Sequence, residues 1–253
     1  MINIYYSKTQ KEAAEKCADV ITELLKVKRN AVLGFATGSS PVMMYSELIA
    51  RCKRGEISFK EVKTVNLDEY VGLSADHDQS FSYFMFDNLF NHIDIPKENT
   101  NLPNGLAEDL EGERKRYDAV IESMGGVDIQ VLGIGHNGHI GFNEPADHFS
   151  LGTALVELTQ STIDANSRFF ESKDEVPRRA LTMGIGQIMQ AKRIVMVANG
   201  RAKAEILEDA FFGKVSPKNP ASILQFFKGE VDVFLDEEAL SVIMERHPEA
   251  VIR

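Results

Sequence analysis

The thirteen residues Gly133-Ile134-Gly135-His136-Asn137-Gly138-His139-Ile140-Gly141-Phe142-Asn143-Glu144-Pro145 concentrate the side chains best able to do chemistry. They include four glycines, two histidines, two asparagines and a glutamate. A plain connection between elements needs one or two turn-forming residues, not this density of titratable and amide groups. Glycine lets a backbone approach a ligand closely. Asn-Gly-His in such a loop suits general acid–base work near neutral pH, with Glu144 orienting or charging an imidazole. A metal site built from His136, His139, His148 and Glu144 is the competing reading. Gly138 lies between the two loop histidines and the spacing does not match helix-borne zinc motifs, so proton transfer without a metal is preferred. His136 is a candidate for a purely structural role.

Three further clusters could supply binding groups. Thr37-Gly38-Ser39-Ser40-Pro41 joins the apolar run Ala31–Ala36 to a helical segment from Val42 to Arg54. Ser40 is expected as its N-cap and Pro41 as its first helical residue. Backbone N–H groups, hydroxyls and a helix N-terminus make a phosphate site; an ordinary capped turn is the other reading. No Gly-Lys-Ser/Thr ending marks a Walker loop. Asp68 and Glu69 follow the apolar run Val62–Leu67. Adjacent carboxylates at a strand end point in different directions, so one can face a pocket as a base while the other is oriented into the structure. The alternative is a loop that caps the next helix. Lys203 stands in the first turn of a helix expected over Ala202–Phe212, where the helix dipole disfavours a cation unless an anion sits beside it. A solvated lysine is the plain alternative.

The elements that must position these residues alternate along the chain. Strands are expected over Ile2–Tyr6, Ala31–Ala36, Val62–Leu67, Ile129–Ile134, Thr153–Thr159, Arg193–Ala198 and Val231–Leu235. Helices are expected from Thr9 to Lys26, over Asp109–Met124 and Thr162–Phe170, and over Ala221–Phe227. The aromatic run Gln79–Phe90 reads as a core helix, and polar Ser172–Arg179 as a mobile stretch. Alternation of this kind predicts an α/β fold: a doubly wound, mostly parallel, Rossmann-like sheet with helices on both faces, in one domain over residues 1–253.

Composition narrows the function classes. The net charge of -10, from 28 Lys+Arg against 38 Asp+Glu, argues against a nucleic-acid or anionic-membrane partner. The two cysteines, Cys17 and Cys52, give no disulfide framework. No signal-peptide pattern opens the chain and no apolar run approaches membrane-spanning length, so a soluble cytoplasmic protein is expected.

Four segments in this order resemble the glucosamine-6-phosphate deaminase family: Thr37–Pro41, Asn66-Leu67-Asp68-Glu69-Tyr70-Val71-Gly72-Leu73, Gly133–Pro145 and Asn166-Ser167-Arg168-Phe169-Phe170. The resemblance implies conversion of glucosamine 6-phosphate and water to fructose 6-phosphate and ammonia, with no organic cofactor and no metal. It implies that His139 opens the pyranose ring, that Glu144 and Asn137 support it, and that Asp68 moves the C2 proton to C1. Thr37, Gly38, Ser39 and Ser40 would hold the phosphate with Arg168 and Lys203, and Gly141 would complete the substrate-binding set. Residues 158–186 resemble the family's mobile lid, which carries Arg168. A small-molecule substrate is the expected partner; a monomer is favoured, with dimer and hexamer open.

Two departures from the family pattern matter. Asn137 stands where many members carry aspartate, so charge at the relay would rest on Glu144. Asp147, Ala154, Val156 and Glu157 stand where regulated members bind N-acetylglucosamine 6-phosphate, and the chain ends soon after Pro248. An enzyme without that activation is expected. The nearest enzyme alternative, 6-phosphogluconolactonase, shares the fold and a Gly-x-Gly-x-x-Gly-His loop but has no need of Asp-Glu-Tyr-Val-Gly-Leu. A sugar-phosphate-sensing domain would call for an added helix-turn-helix and gives no reason to keep Asp68 with His139.

Overall fold

In the computed structural model, residues 1–252 are described, apart from the side chains of Ser161, Ala165 and Phe169. Strand and helix alternate: β1 (Ile2–Ser7), α1 (Gln10–Val27), β2 (Val32–Phe35), α2 (Val42–Lys53) and β3 (Lys63–Asn66) come first. β4 (Asp68–Tyr70), α3 (Phe81–Asn88), β5 (Thr100–Asn101), α4 (Leu110–Ser123) and β6 (Ile129–Leu132) follow. The second half runs β7 (Ala154–Glu157), α5 (Gln160–Asn166), β8 (Arg179–Thr182), α6 (Ile185–Ile188) and β9 (Arg193–Ala198). α7 (Ala204–Phe212), β10 (Glu230–Asp236), α8 (Glu237–Arg246) and β11 (Val251–Ile252) close the chain.

Eight strands form a parallel sheet in the order β11-β1-β10-β9-β6-β2-β3-β5. Continuous apolar runs suit such strands because both faces are covered. On β9, Ile194, Met196 and Ala198 enter one core while Val195 and Val197 enter the other. α1 and α2 cover the second face with Cys17, Ile21, Met44 and Leu48. α4, α7 and α8 cover the first with Tyr117, Leu207 and Leu240. The doubly wound arrangement is as the alternation predicts.

A smaller antiparallel sheet, β4-β8-β7, stands against the first. The chain crosses between the sheets at Leu67. Its N–H donates to the Phe35 carbonyl at 3.1 Å, continuing the parallel ladder, and its carbonyl accepts from Met183 N–H at 2.6 Å. Asp68 is the next residue and pairs with Thr182. Tyr117, fully buried on α4, fixes the approach: its hydroxyl donates to the Asn66 carbonyl at 2.5 Å and accepts from the Asn66 N–H at 2.9 Å.

Several elements differ from the sequence reading. Ser172–Arg179 contains a 3-10 turn (Lys173–Glu175) and leads into β8 at Arg179, with Val176 buried among Tyr70, Phe142, Leu158, Ile163 and Ala180. The helix expected over Thr162–Phe170 is α5 plus a 3-10 turn at Ser167–Phe169. A 3-10 turn at Arg201–Lys203 precedes α7. Thr9 caps α1 by accepting from Glu12 N–H at 3.2 Å, as its spacing predicts. Among the described residues no helix is long and apolar enough to cross a membrane.

Candidate active site

The carboxyl ends of β9, β6, β2 and β3, four neighbours in the sheet, open onto one cavity of about 750 Å³. Open parallel sheets offer their loops to ligands at this edge. Thr37, Gly38, Ser39 and Ser40 after β2, Asp68 after β3, Asn137, His139 and Gly141 after β6, and Lys203 after β9 all line it. Arg168, on the turn after α5, lines it as well. Of the predicted set only Glu144 stands behind the wall. His136, offered as a structural residue, lines the cavity, and burial lowers its pKa, with Lys203 and His139 adding to the effect. The aromatic run reads as core from its composition; Met85 and Phe90 are buried there, but Phe81 and Phe84 reach the cavity.

The loop after β6 is pinned by its own backbone and by neighbours. Gly138 N–H donates to the Gly135 carbonyl at 3.1 Å, and Gly135 N–H to the His139 carbonyl at 2.9 Å. Asn143 donates from Nδ2 to the Ile140 and Met183 carbonyls at 2.9 and 2.8 Å. Thr182 Oγ1 accepts from Phe142 N–H at 3.1 Å. The His139 ring lies over Gly135, where a Cβ would meet its Cε1 and Nε2 at 2.4 Å, so only glycine leaves room for the imidazole. Gly141 has a φ of 57°, and a Cβ there would sit 3.4 Å from Asp68 Oδ2. The loop thus brings its backbone against the carboxylate of another strand.

Glu144 organises the rear of the loop. Asn137 Nδ2 donates to Glu144 Oε2 at 2.6 Å, while Asn137 Oδ1 accepts from His139 N–H at 3.2 Å. Thr162 Oγ1 donates to Glu144 Oε1 at 2.6 Å. The same Oε1 lies 3.3 Å from His139 Nδ1. That nitrogen is buried and makes no aligned hydrogen bond, so the contact is an ion-pair approach. Burial pushes the Glu144 pKa up, but the facing His139 imidazole and the Thr162 and Asn137 donors outweigh it and hold the group at about 2.

Asp68 and Glu69 have opposite environments. Glu69 turns inward, its Oε1 accepting from Tyr70 N–H at 2.8 Å and Phe81 N–H at 2.9 Å, its Oε2 from Ser82 N–H at 2.8 Å. Phe81 and Ser82 open α3, so both sequence readings hold: one acid faces the pocket and the other caps the next helix. Burial raises Glu69 to about 7 against the pull of these N–H groups. Asp68 faces the cavity, and burial, then the Glu69 charge, raises it to about 8.

At the opposite end, Lys203 precedes α7 as its N-cap residue, and burial lowers its ammonium to about 8. Ser40 does not cap α2: Pro41 takes the cap position, its carbonyl accepting from Tyr45 N–H at 2.9 Å. The Ser40 hydroxyl instead turns towards Asn199 Oδ1 at 3.3 Å, drawn to the β9 side of the cavity. Among the described residues no group of three His, Cys, Asp or Glu side chains is arranged to hold a metal. Sequence reasoning missed Thr182 and Thr162, whose partners lie far along the chain. It also missed the wall of Tyr70, Phe81, Phe142 and Phe170, with the Phe81 and Phe142 rings stacked at 5.7 Å.

Both raised carboxylates favour the fold in their protonated forms. Their contribution is fully present below the ordinary carboxylate range of about 4 and is lost as pH rises towards about 8. Asp68→Asn removes one of these charges. Its melting temperature is expected to exceed that of the parent by a few degrees at about pH 9 and to match it at about pH 4. Thermal unfolding followed by circular dichroism at both pH values checks this; a lower melting temperature at pH 9 contradicts it.

Comparisons with known proteins bear on the fold and the family. Residues 6–233 match the family model for glucosamine-6-phosphate isomerases/6-phosphogluconolactonase. A glucosamine-6-phosphate deaminase from Thermoanaerobacter sp. (strain X514) is 53% identical over 232 residues, covering 92% of this chain and 91% of the relative. One from Clostridium perfringens (strain 13 / Type A) is 50% identical over 242 residues, covering 96% of this chain and all of that one. A solved monomeric glucosamine-6-phosphate deaminase superimposes with a TM-score of 0.91 at 42% identity, covering 95% of this chain and 99% of its own. With its fold and nine-tenths of its length shared, this chain belongs to the glucosamine-6-phosphate isomerase/6-phosphogluconolactonase family.

Proposed function

We propose that this enzyme converts glucosamine 6-phosphate and water to fructose 6-phosphate and ammonia. One observation carries the reading. A buried carboxylate, a histidine with an anionic partner, and a hydroxyl-rich cationic end share a single cavity of about 750 Å³. The deaminase names of relatives at 50% identity and above support it. Hydrolysis of a lactone requires an activated water but no proton transfer between carbons, and would leave Asp68 without a step.

In this reading the phosphate sits between Thr37–Ser40, Arg168 and Lys203. A phosphate dianion beside Lys203 offsets the burial that depresses its ammonium. His139, facing Glu144 through Nδ1, keeps Nε2 for the sugar. It takes the proton of the anomeric hydroxyl and returns one to the ring oxygen, opening the pyranose to the aldehyde. Asp68 takes the C2 proton while the substrate's ammonium gives one to the aldehyde oxygen, leaving an enolamine, and Asp68 then delivers its proton to C1. C1 becomes the hydroxymethyl carbon and C2 an imine; water adds to the imine and ammonia leaves, giving the ketose. The substrate's ammonium beside Asp68 favours the carboxylate and counters its desolvation. Asn137 supplies orientation rather than charge: its amide donates to Glu144, where an aspartate would set like charges together.

Residues 158–186 act as a lid in this scheme, with Arg168 among the residues that line the cavity. The monomeric state of the similar solved deaminase supports a monomer. The free thiols of Cys17 and Cys52 fit a reducing, cytoplasmic setting. The N-acetylglucosamine 6-phosphate site of regulated relatives has no counterpart chemistry here. Ala154, Val156 and Glu157 form the edge strand β7, and Asp147 pairs with Lys218 at 2.6 Å.

Three outcomes follow. Incubation with glucosamine 6-phosphate releases ammonia and fructose 6-phosphate in equal amounts, and Asp68→Asn lowers the rate at least about a hundredfold; no ammonia, or full activity in the variant, overturns the assignment. Arg168→Ala raises KM for the sugar phosphate about tenfold or more while circular dichroism stays unchanged, and an unaltered KM removes Arg168 from the phosphate site. Initial rates follow a hyperbola, and N-acetylglucosamine 6-phosphate leaves them unchanged. A sigmoidal curve made hyperbolic by that ligand contradicts the loss of regulation.

A further inference from the structure

Glu144 is the hub of the loop after β6, and one of its donors comes from outside that loop. Thr162, in α5, is buried, with 8% of its surface exposed. Its hydroxyl accepts from Thr159 Oγ1 at 3.0 Å and donates to Glu144 Oε1 at 2.6 Å. A hydroxyl has one proton, so the Thr159 contact leaves that proton directed at the carboxylate. Glu144 Oε1 is also the atom that faces His139 Nδ1 at 3.3 Å. The other carboxylate oxygen is held by Asn137 at 2.6 Å. Without Thr162 the carboxylate would be anchored at Oε2 alone and free to rotate Oε1 away from the imidazole.

The element that carries Thr162 also leads to the phosphate end. α5 runs directly into the turn bearing Arg168, and Asn166 Nδ2 at its end donates to the Tyr70 hydroxyl at 2.8 Å. Tyr70 is two residues beyond Asp68 on β4. Two side-chain hydrogen bonds therefore tie α5 to the two halves of the site, one to the histidine relay and one to the strand of the carboxylate base.

We propose that Thr162 is a positioning residue for the ring-opening histidine: its hydroxyl fixes Glu144 Oε1 opposite His139 Nδ1, and so makes the relay complete only while α5 is docked. The inference rests on the deaminase reading for its catalytic consequence, but the link from Thr162 through Glu144 to His139 stands on geometry alone. Docking of α5, favoured when Arg168 meets the phosphate, then assembles the proton-transfer group on the loop after β6. Phosphate binding and ring opening are coupled through one helix.

Thr162→Val keeps the shape and removes the donor, whereas Thr162→Ser keeps the donor. In Thr162→Val, kcat is expected to fall about tenfold with KM for glucosamine 6-phosphate changed by less than about twofold; Thr162→Ser is expected to stay within about twofold of the parent in both. A second readout does not depend on turnover. In crystal structures, Glu144 Oε1 is expected to leave its place 3.3 Å from His139 Nδ1 in Thr162→Val and to keep it in Thr162→Ser. An undisturbed Glu144–His139 contact in Thr162→Val overturns the proposal, as does a rise in KM alone, which marks Thr162 as packing for α5. A parent protein that releases no ammonia but whose Thr162→Val variant shows the displaced carboxylate keeps the positioning role and rejects the deaminase reading.

Discussion

Burial of a carboxylate at the junction of two sheets is the constraint on which the rest of the structure depends. Asp68 lies where the chain leaves the parallel sheet for the antiparallel one, shut away from water and next to a second acid, Glu69. Desolvation of a charged carboxylate is unfavourable, and a like charge beside it adds to the burden. The surrounding structure makes the position tenable. Three backbone N–H groups converge on Glu69, and Tyr117 grips both polar groups of the Asn66 backbone. β8 supplies the pairing partner that keeps Asp68 at the cavity wall. These contacts belong to the scaffold, and they leave the Asp68 carboxylate to the ligand.

The two acids of the proposed mechanism are pushed in opposite directions by their settings. Asp68 is raised to about 8 by burial, while Glu144 is held at about 2 by the facing His139 imidazole and by donors from Thr162 and Asn137. Groups of one chemical type driven apart in this way take different roles. A carboxylate that binds protons readily suits removal and return of a carbon-bound proton. A permanently ionised one suits a fixed partner for an imidazole. Lys203, lowered by the same desolvation, gives the cavity a cationic end opposite its acidic one, and a substrate carrying both an ammonium and a phosphate matches that polarity.

Short-range pattern accounts for the part of the molecule that is legible in the sequence. The runs in β2, β6 and β9 are mostly apolar, with β-branched Val32, Ile129, Val131, Ile194, Val195 and Val197 among them, so the parallel sheet and the loops at its edge can be read from them. The glycine density of the loop after β6 and the two adjacent acids after β3 mark the site by residue type alone. Contacts that depend on distant pairing are not legible. β8 is preceded by Pro177 and Arg178, and its strand character comes from β4 and β7 rather than from its own composition. Thr182 meets Phe142 across 40 residues and Thr162 meets Glu144 across 18, separations that no local rule spans. Ser40 has the residue type of an N-cap, yet its hydroxyl is drawn to Asn199, 159 residues away. The local preference yields to the cavity.

The protonation state of Asp68 is the most direct measure of this account. With aspartate carboxyl carbons labelled, the resonance absent from Asp68→Asn identifies the group, and its titration can be followed by NMR in the ligand-free protein. A midpoint near 8, falling when a substrate analogue brings an ammonium into the cavity, is the predicted result. A midpoint in the ordinary aspartate range of about 4 would contradict the claim that burial at the sheet junction makes Asp68 the base.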